Sequence, residues 1–318
     1  MYQQLVENLK QDGTALLDGA IGTQLQAMSV PMDNTAWAAK ALHTHPDTIR
    51  LMHRRYLDCG VDIITTNTYA SARHNLEPLG LGDLTRELNY RAVNLAMEAR
   101  ERSAPDRNVT LAGSISAFGL TVGGESVRSL HRHARPRAEI TERQARWNLR
   151  EQAEILAEAG VDLLLLEGTG SIEHRHWMVD ECVGAGLPLW LGFRCRLDEG
   201  DDTPRVGYSS TTSLADGLGE FMDKGLSGVA IFHSTIDATD AAIPVARSIW
   251  SGPLAVYPEA DRSDYTLPQR DDEVESNVTP AEFPGIAQRW FAGGVQVVGG
   301  CCGINLEYFT DLKHALAG

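Results

Sequence analysis

Eight short runs of β-branched and aliphatic residues recur along the 318-residue chain, separated by segments whose apolar residues fall at helical spacing. The first four read TALLDGAIG from Thr14, VDIITTNTY from Val61, VTLAGSIS from Val109 and VDLLLLEGT from Val161. The second four read PLWLGFRC from Pro188, SGVAIFHST from Ser227, GPLAVYPE from Gly252 and GVQVVGGCC from Gly294. Such near-continuous apolar runs suit strands buried on both faces, as in a parallel sheet. Between them, HPDTIRLMHRRYLDCG stops on Gly60 and ERQARWNLREQAEILAEAG on Gly160, while GIAQRWFAGG leads into the last run. A glycine just past a helical stretch is a stop signal. Strand–helix alternation repeated eight times predicts a single (β/α)8 barrel over residues 1–318 rather than a doubly wound sheet. The glycines of DGAIGTQL have the wrong spacing for a dinucleotide fingerprint.

Every run ends on a polar or ligand-capable residue: Asp18, Asn67, Ser114, Glu167, Cys195, His233, Tyr257 with Glu259, and Cys301 with Cys302. In a barrel these ends converge on the C-terminal face, where such enzymes carry their active sites. The runs are defined by apolarity alone, so the coincidence points to an enzyme. No lysine ends a run, which argues against Schiff-base chemistry. The formal net charge of −15, with no long basic run, argues against nucleic acid and anionic membranes as partners. No stretch is long and apolar enough to span a bilayer, and MYQQLVENLKQDG lacks a signal-peptide core, so a cytoplasmic location is expected. The expected partners are small molecules; self-association is left open.

Five cysteines without an export signal do not form a disulfide framework. Cys59 and Cys182 sit in helical segments just before glycine stops and read as structural. The adjacent pair Cys301–Cys302 is different. Successive side chains of an ordinary strand face opposite ways, so both thiols reach one ion only where the backbone bends. Gly299, Gly300 and Gly303 permit such a bend. Zinc suits thiolates, at a Zn–S distance of about 2.3 Å in tetrahedral geometry. A catalytic site needs a third ligand and an open position, and His233 and Cys195 are both candidates. The competing reading is a pair of small buried side chains beside a satisfied histidine.

At these residues the chain resembles the homocysteine S-methyltransferase family of zinc-dependent (β/α)8 barrels. The resemblance runs through LLDGAIGTQL (16–25), HPDTIRLMHRRYLDCGVDIITTNTYAS (45–71) and LAGSISAFG (111–119). It continues through ILAEAGVDLLLLEG (155–168), LAVYPEA (254–260) and GVQVVGGCCG (294–303). It implies transfer of a methyl group from a sulfonium, betaine or folate donor to the homocysteine thiol, which zinc activates as a thiolate. It also implies that Cys301 and Cys302 hold zinc, and that Asp18 and Glu167 hold the acceptor's amino group. An ammonium suits two acceptor-only carboxylates, although alone Asp18 reads as a turn residue before Gly19.

The chain departs from the family pattern in places. The third family ligand is a cysteine ending strand six, where His233 stands here. Two thiolates and a neutral imidazole leave zinc neutral, so a substrate thiolate is expected to bind more readily but to be a weaker nucleophile. Glu259 follows Pro258 where asparagine is common. The loop TVGGESVRSLHRHARPRAEI, with His131 and His133, lacks a tyrosine-containing pattern associated with many members and is expected to shape donor choice. An acidic, aromatic mouth with Tyr257, Phe193 and Phe118, joined by Asn67, Ser114 and Glu259, is expected to take an onium donor, S-methylmethionine first. The alternatives are a demethylase with another thiol acceptor and a metal-free binding or regulatory barrel.

Overall fold

A computed structural model describes residues 1–11, 13–33, 35–123, 125–126, 138–168, 170–208, 210–260, 278–310 and 312–317. Each of the eight runs contributes one strand to a single parallel sheet. In chain order these are β1 (Ala15–Leu16), β2 (Ile63–Thr65), β3 (Thr110–Ser116), β4 (Leu163–Gly168), β5 (Leu189–Phe193), β6 (Gly228–Phe232), β7 (Leu254–Tyr257) and β8 (Val297–Val298). They pair in the order β1-β8-β7-β6-β5-β4-β3-β2. A parallel bridge between Leu17 and Ile63 brings β1 back against β2, and Asp18 N donates to Ile63 O at 2.9 Å. The sheet thereby curls into a nearly closed barrel, as eight strand–helix repeats lead one to expect.

Each connection between consecutive strands carries a helix. After α1 (Tyr2–Lys10) come α2 (Pro46–Asp58), α3 (Thr85–Ser103), α4 (Glu142–Ala159), α5 (Ile172–Cys182), α6 (Leu214–Gly219), α7 (Ile236–Ile249), α8 (Phe283–Ala292) and α9 (Leu312–Ala317). Local signals set their ends. Pro46 opens α2 with a preset φ and Asp47 complements the helix dipole there. The Thr141 hydroxyl caps α4 by accepting from Gln144 N, and Gly160 ends it in a left-handed conformation. No helix among the described residues is long and apolar enough to cross a membrane.

Strand alternation splits the apolar residues into two sets. Ile64, Leu111, Leu164, Leu166, Leu191 and Ile231 face outward and pack under the helices. Ile63, Ala112, Leu163, Leu165, Ala230 and Val297 face inward. The inner set also takes in Leu5 and Leu9 of α1, a helix the sequence reading does not anticipate. Trp190 Nε1 donates to the Tyr2 hydroxyl at 3.0 Å and Gln296 Nε2 to Leu9 O at 2.6 Å. Both partners lie near strand starts, so α1 plugs the lower end of the barrel and leaves the opposite mouth as its open end.

At that mouth the loops are elaborated. Cys195–Asp198 pairs antiparallel with Asp201–Val206 to form a hairpin after β5, and Thr121–Val122 pairs with Glu125–Ser126 after β3. His131 and His133 lie outside the described residues.

A candidate metal and substrate site at the barrel mouth

The Cys301–Cys302 stretch does bend. β8 stops at Val298, and the next residues turn tightly under four backbone hydrogen bonds. Gly300 N donates to Asp18 O (3.1 Å), Cys301 N to Pro258 O (2.7 Å), Ala260 N to Cys302 O (2.9 Å) and Ile304 N to Cys301 O (3.0 Å). The turn leaves no room for side chains on its glycines. A Cβ on Gly300 would sit 2.4 Å from Ile304 Cγ2, and one on Gly299 would sit 2.9 Å from Asp18 O. Turning in place of extending puts both thiols on one side, with their sulfurs 4.0 Å apart.

His233 follows β6 directly and adopts φ +46°, a left-handed value for a residue with a Cβ. Such a conformation costs about 1–3 kcal/mol and persists only where its surroundings impose it. Here His233 N donates to Tyr257 O at 3.1 Å, and the turned backbone brings the imidazole to the cysteines. Nδ1 lies 3.5 Å from Cys301 Sγ. One ligand atom from each of His233, Cys301 and Cys302 lies within 4.8 Å of the other two, the one such group of three among the described residues.

This donor set fits a thiophilic divalent cation such as zinc. The electrostatics agree. The Cys301 thiol is held well above the usual thiol range, first by sharing its hydrogen with Cys302, then by burial and by the Cys302, Glu167 and Glu259 charges. A divalent cation bound there would offset that cost of ionisation. Cys195 is not part of the group. It is buried under the helix layer, its sulfur faces Phe193 O at 3.9 Å, and burial pushes its thiol up to about 12.

The two carboxylates open into the same cavity as the thiols, together with Asn67, Ser114 and Tyr257. Asp18 is clamped by Thr65, whose N donates to Oδ2 at 2.8 Å and whose hydroxyl donates to Oδ1 at 2.9 Å. Burial nevertheless raises its pKa to about 8, with the Glu167 charge adding to the shift. Glu167 Oε2 accepts from the Ser114 hydroxyl at 2.6 Å. Loss of hydration raises its pKa to about 7, partly offset by the Ser114 and Tyr257 hydroxyls. Asn67 Nδ2 donates to Ala38 O at 3.0 Å and so ties the segment beside Trp37 to the end of β2.

Two acids this close to neutrality make stability depend on pH. Their folded pKa values of about 8 and about 7 exceed the ordinary 3.8 and 4.5, so between these limits the native state holds more protons than the unfolded chain. The stability they contribute is full below the unfolded values and is lost as pH rises through the folded ones. The thermal midpoint of the ligand-free protein is therefore expected to fall from about pH 5 to about pH 8.5, and to fall less in Asp18→Asn. A midpoint that rises over this range, or an identical slope in the variant, would show the carboxyls to be ordinary.

Three expected wall residues lie elsewhere. Phe193 pairs in register with Ile231, and both face the helices; its ring packs on Phe221 and lies under Arg175. The correction is one of parity: the inward position of β5 is Gly192, and the ring of Phe232 from β6 fills the space beside it. Phe118 packs at a tilt against Tyr69, with ring centroids 5.6 Å apart, and Tyr69 is the ring that reaches the cavity. Glu259 does not line the cavity but lies 3.1 Å from His233 Nδ1. The walls that sequence reasoning missed are Trp37, Tyr69, Thr65 and Phe232. Trp37 has no periodic signal and adopts a left-handed φ of +47°.

The family model described as homocysteine S-methyltransferase matches residues 15–316. The chain is 27% identical over 308 residues to homocysteine S-methyltransferase 2 of Zea mays, covering 91% of this chain and 86% of that one. It is 26% identical over 325 residues to the homocysteine S-methyltransferase of Escherichia coli (strain K12), covering 96% and 95%. It is 25% identical over 308 residues to the selenocysteine methyltransferase of Astragalus bisulcatus, covering 91% and 88%. Among solved structures, the metallated form of the Escherichia coli homocysteine methyltransferase MmuM superposes with a TM-score of 0.73 at 22% identity, over 96% of this chain and 97% of that one. That likeness speaks to the barrel fold.

Proposed function

The chain belongs to the homocysteine S-methyltransferase family, and from that premise we propose that it moves a methyl group from a small onium donor to the thiol of homocysteine, with zinc held by His233, Cys301 and Cys302. The observation that carries this reading is the joining of two kinds of recognition in one cavity: an imidazole and two thiols for a metal, and two carboxylates for an ammonium. Zinc bound there lowers the pKa of an acceptor thiol, so that it is a thiolate near neutral pH.

The chain's own residues supply the rest. Asp18, fixed by Thr65, and Glu167, fixed by Ser114, accept hydrogen bonds from the amino group of homocysteine and aim its thiol at the metal ligands. Ammonium binding draws both carboxyls into their charged form and so releases protons. The donor's cationic sulfur or nitrogen centre faces Trp37, Tyr69 and Tyr257, which attract positive charge through their ring faces. That charge vanishes as the methyl group leaves, so the neutral product is held less tightly than the donor.

The test is a donor screen on metal-replete protein with homocysteine as acceptor, reading methionine by chromatography. S-methylmethionine should react, ahead of betaine and other sulfonium compounds. Zinc-loaded protein that turns over none of them would overturn the donor assignment.

A further inference from the structure

His233, a candidate metal ligand at the end of β6, and Glu259, two residues past β7, are a contacting pair. Glu259 Oε2 lies 3.1 Å from His233 Nδ1, and the two side chains are 4% and 6% exposed. The backbone imposes the contact: His233 N donates to Tyr257 O at 3.1 Å and Glu259 N to Ser234 O at 2.9 Å, so the ends of β6 and β7 are laced together. The other carboxylate oxygen, Oε1, lies 3.8 Å from Arg194 Nη2. Arg194 is fixed in turn, donating from Nη1 to Gly207 O at 3.2 Å and stacking 3.9 Å over the Tyr208 ring. Tyr208 sets its ring edgewise to the imidazole at 6.2 Å.

We propose that Glu259, anchored by Arg194, is a positioning residue for the metal site, and that it does its work only through His233. A thiolate ligand needs no such partner, because it is already anionic and presents one ligand atom. An imidazole is neutral, rotates about its bond to Cβ and presents either of two nitrogens. A carboxylate on Nδ1 leaves Nε2 as the nitrogen for the metal, fixes the ring and raises its strength as a ligand. Glu259 also brings to the ring the negative charge that an imidazole, unlike a thiolate, does not carry. It is buried beside the imidazole and is not among the residues that line the cavity.

The inference rests on the zinc reading of the cluster. The test compares wild type, Glu259→Gln, His233→Cys and the double variant as full-length proteins. Zinc affinity is measured by competition with a chromophoric chelator, and ligand number by cobalt(II) absorption. With His233 in place, Glu259→Gln should weaken zinc binding about 10–100-fold, shift the cobalt ligand-field bands and leave the thiolate charge-transfer bands. Glu259→Asp should recover part of the loss. In the His233→Cys background, Glu259→Gln should not weaken binding further.

Equal losses in both backgrounds would mean that Glu259 merely supports the fold, and would overturn the proposal. So would a Glu259→Gln protein that binds zinc like wild type, or cobalt spectra showing that wild type loses an oxygen ligand on this change. Wild type that binds no zinc would bring down the metal reading along with it. Wild type that binds zinc while Glu259→Gln has no effect would remove this inference alone.

Discussion

Cys301→Ser should abolish the zinc binding proposed for the His233, Cys301 and Cys302 cluster and lower kcat/KM by about 10³-fold or more, the worth of several kcal/mol of metal assistance. The reason is the size of the donor set. Cys301 contacts both other candidate ligands, with its sulfur 3.5 Å from His233 Nδ1 and 4.0 Å from Cys302 Sγ. Without it two ligands remain, too few to retain zinc. The barrel itself should survive, because Cys301 is half-buried at the mouth and its backbone bonds do not need the thiol. Elemental analysis of protein purified without chelator, beside a melting curve, separates metal loss from unfolding. Cys195→Ala is the matched control and should keep its zinc, since that thiol lies under the helix layer. Zinc lost from Cys195→Ala but kept by His233→Ala would reverse the ligand assignment.

The second large effect is expected at the acceptor's amino end. Glu167→Gln should raise the KM for homocysteine about 10–100-fold, the range for losing one hydrogen bond to a charged group in a buried site. Zinc content should not change, and kcat for the same donor should fall far less than KM rises. The isosteric amide can still accept from the Ser114 hydroxyl, whose bond to Oε2 is 2.6 Å, so the cavity keeps its shape while losing a charge. A KM that stays put while zinc or kcat is lost would place Glu167 at the metal rather than at the ammonium. With Asp18→Asn the same KM effect is expected, and the Thr65 backbone N retains an acceptor.

The barrel was legible because its evidence is additive. Eight apolar runs and the helical segments between them each carry a weak signal, and their alternation leaves few folds. The cavity-facing strand-end polar residues Asp18, Asn67, Ser114, Glu167 and Tyr257 were legible for the same reason, since strand ends of one barrel must meet. Phe193 was misplaced because a run buried on both faces has no alternation from which to read parity; only the pairing of Phe193 with Ile231 shows which way it points. Trp37 and Tyr69 reach the cavity from loops, where no period exists to be read. That His233 and not Cys195 lies beside the cysteine pair is illegible in the sequence, because a left-handed histidine at a strand end leaves no trace in composition. The helix that plugs the lower end was passed over because nine residues ahead of the first strand give it no repeat to belong to.

The barrel's ring of hydrogen bonds is thin on both sides of its first strand. β1 and β8 pair through two residues each, and the join from β1 to β2 is carried by the Leu17–Ile63 bridge together with the Thr65 clamp on Asp18. The groups proposed to hold ligands straddle this seam: Asp18 follows β1, and the cysteine turn follows β8. A metal and an acceptor bound here would rivet the two ends of the sheet, so that occupancy and barrel closure become one equilibrium. Local opening would then begin at this join, and a chain that loses its metal would become vulnerable first at the edge between its beginning and its end.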